Sequence, residues 1–330
     1  MTHFSRRSLL KLAGMGTLAF GLPFAGTAAA AQNIRIRGLF ETPLEEPFVT
    51  QLHLAMQRIA EEGQHDYKFS ESVKAADFSR VLRQWCSEGV ELIVGDAYGT
   101  EQICRRVAGS FTDTKFVMGS ALGPTEPNFA TFYGLNFEAA YLAGMVAAGV
   151  SKSGKIGAVA GVAVPSTYGL LNAFKFGAQE IRSDIEMKAA YIGSFFDPPK
   201  AKEATIAMAD QGVDVVFAER IGVIEAAKER GMVAIGNMTD QSKGAEDTVV
   251  TSVIWDPYPI IKKAVEAVTS GSFAPVNYGD GETIAEGVNY LAPYGNFADR
   301  VPAEVKAAVE EKMAQIKSGK ATVPYDETEL

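Results

Sequence analysis

The sequence predicts an α/β protein built as two doubly wound lobes, and three observations carry that reading. Short β-like runs alternate with longer helical patterns along nearly the whole chain, the arrangement of parallel sheets covered by helices. Many of the runs are uniformly apolar rather than alternating, as strands buried on both faces are. The strands are too many for one sheet and divide naturally near Asn136.

The chain opens on a different kind of segment. Ser5-Arg6-Arg7-Ser8-Leu9-Leu10-Lys11 precedes an uncharged run from Leu12 to Ala31 that ends in Ala28-Ala29-Ala30-Ala31. A basic start, an apolar middle and small residues at the end make a cleavable export signal over residues 1–31, cut near Ala30-Ala31. The paired arginines are of the twin-arginine type. Gly14, Gly16, Gly21, Pro23 and Gly26 make the run a poor spanning helix. The expected location is the periplasm.

Strand candidates follow in order: Asn33–Leu39, Asp66–Ser70, Leu92–Val94, Lys115–Met118 and Thr131–Leu135, then Lys155–Val159, Met187–Tyr191, Val213–Phe217, Val233–Ile235 and Thr248–Ile254. Between them lie amphipathic helices. In Phe48–Glu61, Val49, Leu52, Ala55, Met56 and Ile59 share a face; in Thr167–Ile181, Leu170, Leu171, Phe174, Ala178 and Ile181 do. A helix over Glu138–Gly149 starts the second series. Thr248–Trp255 then reads as strand, Pro257–Thr269 as helix, Glu282–Leu291 as extended chain and Pro302–Lys317 as a final amphipathic helix. The expected first lobe is residues 32–135 with about 251–280, and the second 136–250 with about 281–330.

Bulk properties narrow the function. Removing the leader leaves 299 of 330 residues and strips three positive charges, so the net charge moves from −9 to −12. So acidic a chain, without a basic run, is a poor partner for nucleic acid or anionic lipid. Cys86 and Cys104 fall in separate helical patterns and are expected as buried, unpaired thiols. Two cysteines with the scattered His53 and His65 offer no metal-ligand spacing. No phosphate-binding loop of the G-x-x-x-x-G-K-[ST] type occurs, Gly157-Ala-Val-Ala-Gly161 lacks dinucleotide spacing, and no G-x-S-x-G elbow is present. No catalytic residue, cofactor or metal is expected.

What recurs instead is polar and aromatic residues just after strands, where open parallel sheets bind ligands. These loops supply the aromatic faces Phe48, Tyr98, Phe195, Phe196 and Trp255 and the hydrogen-bonding groups Glu41, Asp96, Glu219, Arg220, Asn237 and Asp240. Aromatic rings can sandwich a flat ligand, and carboxylates can accept its N–H or hydroxyl hydrogens. Each residue has a plainer reading: Asp96 as a helix cap, Glu219–Arg220 as a local ion pair, one of Phe195 and Phe196 as core.

Several stretches then carry a family resemblance: Glu138-Ala-Ala-Tyr-Leu-Ala-Gly144, Ser151-Lys-Ser-Gly-Lys-Ile-Gly157, Tyr191-Ile-Gly-Ser-Phe-Phe-Asp197 with Lys200-Ala-Lys202, Gln211-Gly-Val-Asp-Val215, Ala226-Ala-Lys-Glu229 and Thr251-Ser252. In this order the chain resembles the basic membrane protein family of ABC-transporter solute-binding proteins, of the purine-nucleoside-binding kind. The resemblance implies a type I periplasmic binding protein fold, with two Rossmann-like lobes joined by a hinge and closing on one small molecule. It also implies delivery to an inner-membrane permease and ATPase. A monomer is expected. Three positions depart from the family pattern: the loop Glu41–Phe48, Glu219-Arg220 in place of a glycine-rich turn, and Trp255 in place of a lysine suited to ribose hydroxyls. These departures favour a free purine base or similar flat heterocycle over a nucleoside. The alternatives are a periplasmic sensor for a receptor and an exported enzyme of the nucleoside hydrolase type.

Overall fold

The computed structural model describes residues 33–330; the export signal expected over residues 1–31 lies outside them. The first lobe runs β1 (Arg35–Leu39), α1 (Pro47–Gly63), β2 (Asp66–Ser70), α2 (Ala75–Ser87), β3 (Leu92–Asp96), α3 (Glu101–Ala108), β4 (Lys115–Gly119) and β5 (Phe129–Phe132). Its strands are all parallel, in the order β2-β1-β3-β4-β5. The second lobe runs α4 (Phe137–Val150), β6 (Lys155–Ala160), α5 (Pro165–Ile181), β7 (Glu186–Tyr191), α6 (Pro198–Asp210), β8 (Val215–Ala218), α7 (Val223–Arg230), β9 (Val233–Met238) and β10 (Val249–Trp255). α8 (Tyr258–Thr269), β11 (Asn289–Leu291) and α9 (Ala303–Lys317) complete the described chain. The second sheet has the order β11-β10-β9-β8-β6-β7, parallel except for β11.

Hydrophobic burial explains this layering. Ile36, Leu92, Val94 and Val117 are wholly buried under α1 and α8, while Ile93, Phe116 and Met118 face α2 and α3 on the other side. In the second lobe α4 is buried all round from Ala139 to Ala148 and needs no polar face. It lies tightly against α5 because two glycines meet backbone there. A Cβ on Gly144 would come within 1.9 Å of the Phe174 carbonyl oxygen, and one on Gly177 within 1.8 Å of the Tyr141 carbonyl oxygen.

Some expected strand ends move. β10 pairs with β9 as far as Ile254 and with β11 as far as Trp255. Its Val250 and Val253 belong to the α4 core. The segment beyond then returns to the first lobe, where α8 packs against the α1 core and Thr131 of β5 takes a bridge from Asn277. The strand expected over Thr131–Leu135 ends at Phe132, because the Glu282 carboxylate takes the N–H groups of Tyr133, Gly134 and Leu135 at 3.2, 2.8 and 3.0 Å. The extended stretch expected over Glu282–Leu291 is a strand only at Asn289–Leu291.

Cys86 in α2 and Cys104 in α3 are buried and unpaired, and burial pushes the Cys104 thiol up to about 11. No described helix is long and apolar enough to cross a membrane.

Candidate ligand-binding site

Each sheet reverses its strand order once, between β1 and β3 in the first lobe and between β6 and β8 in the second. The carboxyl ends at such a switch point open a crevice. At both points a carboxylate closes the gap in the same way. The Glu41 N–H after β1 donates to Asp96 Oδ2 at 3.4 Å, and the Gly161 N–H after β6 donates to Glu219 Oε2 at 2.9 Å.

The lobes meet across this crevice through the first turn of α1. Glu46 is its N-cap, and its Oε2 accepts from the Val49 N–H at 3.1 Å while Oε1 lies 3.3 Å from Arg220 Nη1 of the second lobe. Gln51, one turn on, donates to the Met238 carbonyl at 2.8 Å. Phe48 lies between these two contacts in sequence. Its ring is parallel to Trp255, with centroids 5.0 Å apart and planes at 6°, and meets Tyr98 edge-on at 6.3 Å.

The buried charges are unbalanced. Asp96 is 8 % exposed, and among the described residues its carboxylate accepts only the Glu41 N–H. Burial, reinforced by the nearby Glu41 and Glu46 carboxylates, raises its pKa to about 7. Burial likewise raises Glu46, against the pull of Arg220. Arg220 is the cation facing Glu46, and its hydrogens go to protein: Nε to the Glu219 carboxylate and carbonyl, Nη1 to the Phe195 carbonyl and Glu46, and Nη2 to Glu219. Asn237, 1 % exposed at the end of β9, accepts from Asn136 Nδ2 at 2.9 Å, yet its own Nδ2 has no partner. A buried donor without a partner and a buried carboxylate with a single long one are what a polar ligand completes.

The other sequence candidates divide. Tyr98 is 37 % exposed and donates to the Tyr133 carbonyl beside the hinge. Trp255 is wholly buried; its indole N–H donates to Glu282 at 3.1 Å and its ring backs Phe48. Its own face is therefore covered by Phe48 and not open to the crevice. Phe195 and Phe196 are both exposed, so neither is the inward-facing partner the pair suggested; Phe195 carries Arg220 at 5.6 Å from its ring centroid. Asp240 is exposed and holds a local turn by accepting from the Ser242 N–H. Asp96 does not cap α3, whose N-cap is Thr100. Glu46, Gln51, Asn136 and Glu282 were not among the sequence candidates. The Glu46-Pro47 step, a carboxylate just before a proline at the first helical position, is the one local signal that marks any of them.

The match with known proteins decides the family. Residues 42–289 match the Bmp family, described as ABC transporter substrate-binding protein PnrA-like. The chain belongs to this family. A purine-binding protein of Brucella abortus is 31 % identical over 307 residues, covering 91 % of this chain and 85 % of that protein. A protein of Haloferax volcanii named as a putative ABC transporter glucose-binding protein is 29 % identical over 77 % of this chain and 66 % of its own length. Among solved structures, an ABC transporter solute-binding protein of Aeropyrum pernix is similar with a TM-score of 0.76 at 24 % identity, over 89 % of this chain and 94 % of that one. The type I periplasmic binding protein fold expected from sequence is thereby shared with a solved substrate-binding protein. A Bmp-family chain is a substrate-binding protein of the ABC-transporter kind.

Proposed function

We propose that this Bmp-family chain is the extracytoplasmic carrier of an ABC importer, closing on a purine base and presenting it to an inner-membrane permease and ATPase. The reading is carried by the Phe48–Trp255 stack at the interlobe turn, taken with the buried Asp96 carboxylate and the unpartnered Asn237 amide. A flat ring packs on Phe48, offers N–H groups to the Asp96 carboxylate and accepts from Asn237 Nδ2. Glu41, Tyr98, Phe195, Glu219 and Arg220 complete the walls or hold them in place, and Phe196 and Asp240 form the outer rim. The purine-binding name of the Brucella relative supports the same ligand class.

In this account the first lobe is residues 32–135 with the return segment to about 280, and the second holds the rest. Ligand touching both lobes favours the closed arrangement, and the permease reads that closure, so no catalytic group is needed. The leader over 1–31 delivers a monomer to the periplasm.

Calorimetric titration of the chain lacking residues 1–31 with adenine, guanine, hypoxanthine, adenosine and glucose tests the reading. Binding of one or more bases at micromolar dissociation constants or tighter is expected. Binding of glucose alone, as the name of the Haloferax relative suggests for that protein, would overturn it.

A further inference from the structure

Past α9 the chain has no regular structure, yet it is firmly held. Asn172 of α5, 4 % exposed, donates to the Asp326 carbonyl at 2.7 Å and the Thr328 carbonyl at 2.8 Å. The tail thus satisfies both hydrogens of a buried amide, whose loss of partners would cost free energy. Val323 enters the second-lobe core. Between these anchors the Tyr325 ring lies over Gly169, where a Cβ would come within 2.3 Å of it, and 4.7 Å from the ring of Phe137.

Phe137 opens α4 directly after the hinge segment 133–136. The first lobe reaches the same segment through Tyr98, whose hydroxyl donates to the Tyr133 carbonyl. One tyrosine from each lobe thus flanks the hinge. Tyr98 is 37 % and Tyr325 38 % exposed, yet burial is the largest influence raising each phenol, followed by Glu282 for Tyr98 and by Glu327 and then Glu282 for Tyr325. Both rings keep a partly accessible face while their other sides pack beside the hinge, Tyr98 at the Tyr133 carbonyl and Tyr325 at Phe137. The Tyr325 phenol is also close enough to act electrostatically on Tyr98.

We propose that Tyr325, carried to the hinge by a C-terminal strap, forms a ligand-contacting wall of the chamber opposite Tyr98. The strap makes the far C-terminus part of the binding site and limits the length of ligand on the hinge side. A phenol ring there stacks on or donates to a flat heterocycle. The inference rests on the reading of the cleft as a purine site.

The test combines binding with chemical reactivity, using adenine and guanine as probes. Tyr325→Ala and the volume-filling Tyr325→Leu should each weaken binding of whichever base the parent binds by about tenfold or more, while Phe69→Ala on the outer edge strand β2 leaves it unchanged. Parent affinity in both Tyr325 variants overturns the proposal. Nitration by tetranitromethane, read by peptide mass spectrometry on ligand-free protein, gives the second readout. Tyr325 should react more slowly than Tyr290, which is 42 % exposed on β11. Equal rates overturn the enclosed wall whether or not a purine binds. If the parent binds neither base, it is the purine reading that fails, and nitration alone decides the strap.

Discussion

Arg220 of the second lobe lies 3.3 Å from the Glu46 carboxylate of the first, with both side chains buried. Arg220 also holds Glu219 from its own lobe, so one guanidinium joins the end of β8 to the N-cap of α1. The pair bridges the two lobes through buried, charged groups.

Glu46→Gln keeps Arg220 partnered by Glu219 but removes the interlobe charge pair. Ligand-free protein should then show a larger radius of gyration by small-angle X-ray scattering, and bound ligand should dissociate faster. Arg220→Met is more damaging, because it leaves two buried carboxylates without their cation. A loss of about 3–5 kcal/mol in urea unfolding is expected.

Asp96 gives a pH dependence with a definite sign. Its pKa rises from 3.8 to about 7 in the folded protein. Between those values the folded state holds the proton that the unfolded chain has released, so stability falls as pH rises through that window and levels off above it. Asp96→Asn cannot ionise. Ligand-free Asp96→Asn should melt higher than the parent at pH 8 and show a shallower fall from pH 4 to 7, with ligand affinity reduced at least tenfold. Some slope should survive, because burial also raises Glu282 from 4.5 to about 7.

Phe48 and Trp255 should separate binding from stability. Phe48 is half-buried and its loss should mainly weaken ligand binding, by tenfold or more in a titration. Trp255 is wholly buried, and Trp255→Ala should cost about 3–5 kcal/mol of folding stability through the cavity it leaves. Trp255→Phe retains a ring behind Phe48 but loses the bond to Glu282, and should fall between the two.

Gly177→Ala tests the helix packing far from ligand. Its methyl would overlap the Tyr141 carbonyl, so α4 and α5 must part. A loss of about 1–3 kcal/mol is expected, with ligand affinity unchanged in the fraction that remains folded.

The layered fold was legible because period and composition are local properties. Uniform apolar runs such as Leu92–Val94 and the one-sided pattern of Phe48–Glu61 mark their own structure, and the loops after the strands marked Asp96, Glu219 and Asn237. What was not legible depends on partners far away in the chain. Nothing around Trp255 shows that Phe48 covers it, and nothing around Glu282 shows that it takes three consecutive N–H groups from the hinge. Glu46 read as one acid among several in Glu41–Phe48 until Arg220 was placed opposite it. β10, by contrast, ends at Trp255 as its own apolar run suggested, with Val250 and Val253 buried against α4.

The central claim is that the two lobes enclose a flat, N–H-bearing heterocycle. Native mass spectrometry of the purified chain lacking residues 1–31, followed by identification of the small molecule released on denaturation, tests it most directly. A single purine at one copy per chain, lost in Phe48→Ala, is expected. Release of a sugar, a peptide or a metal ion from the parent protein would contradict it.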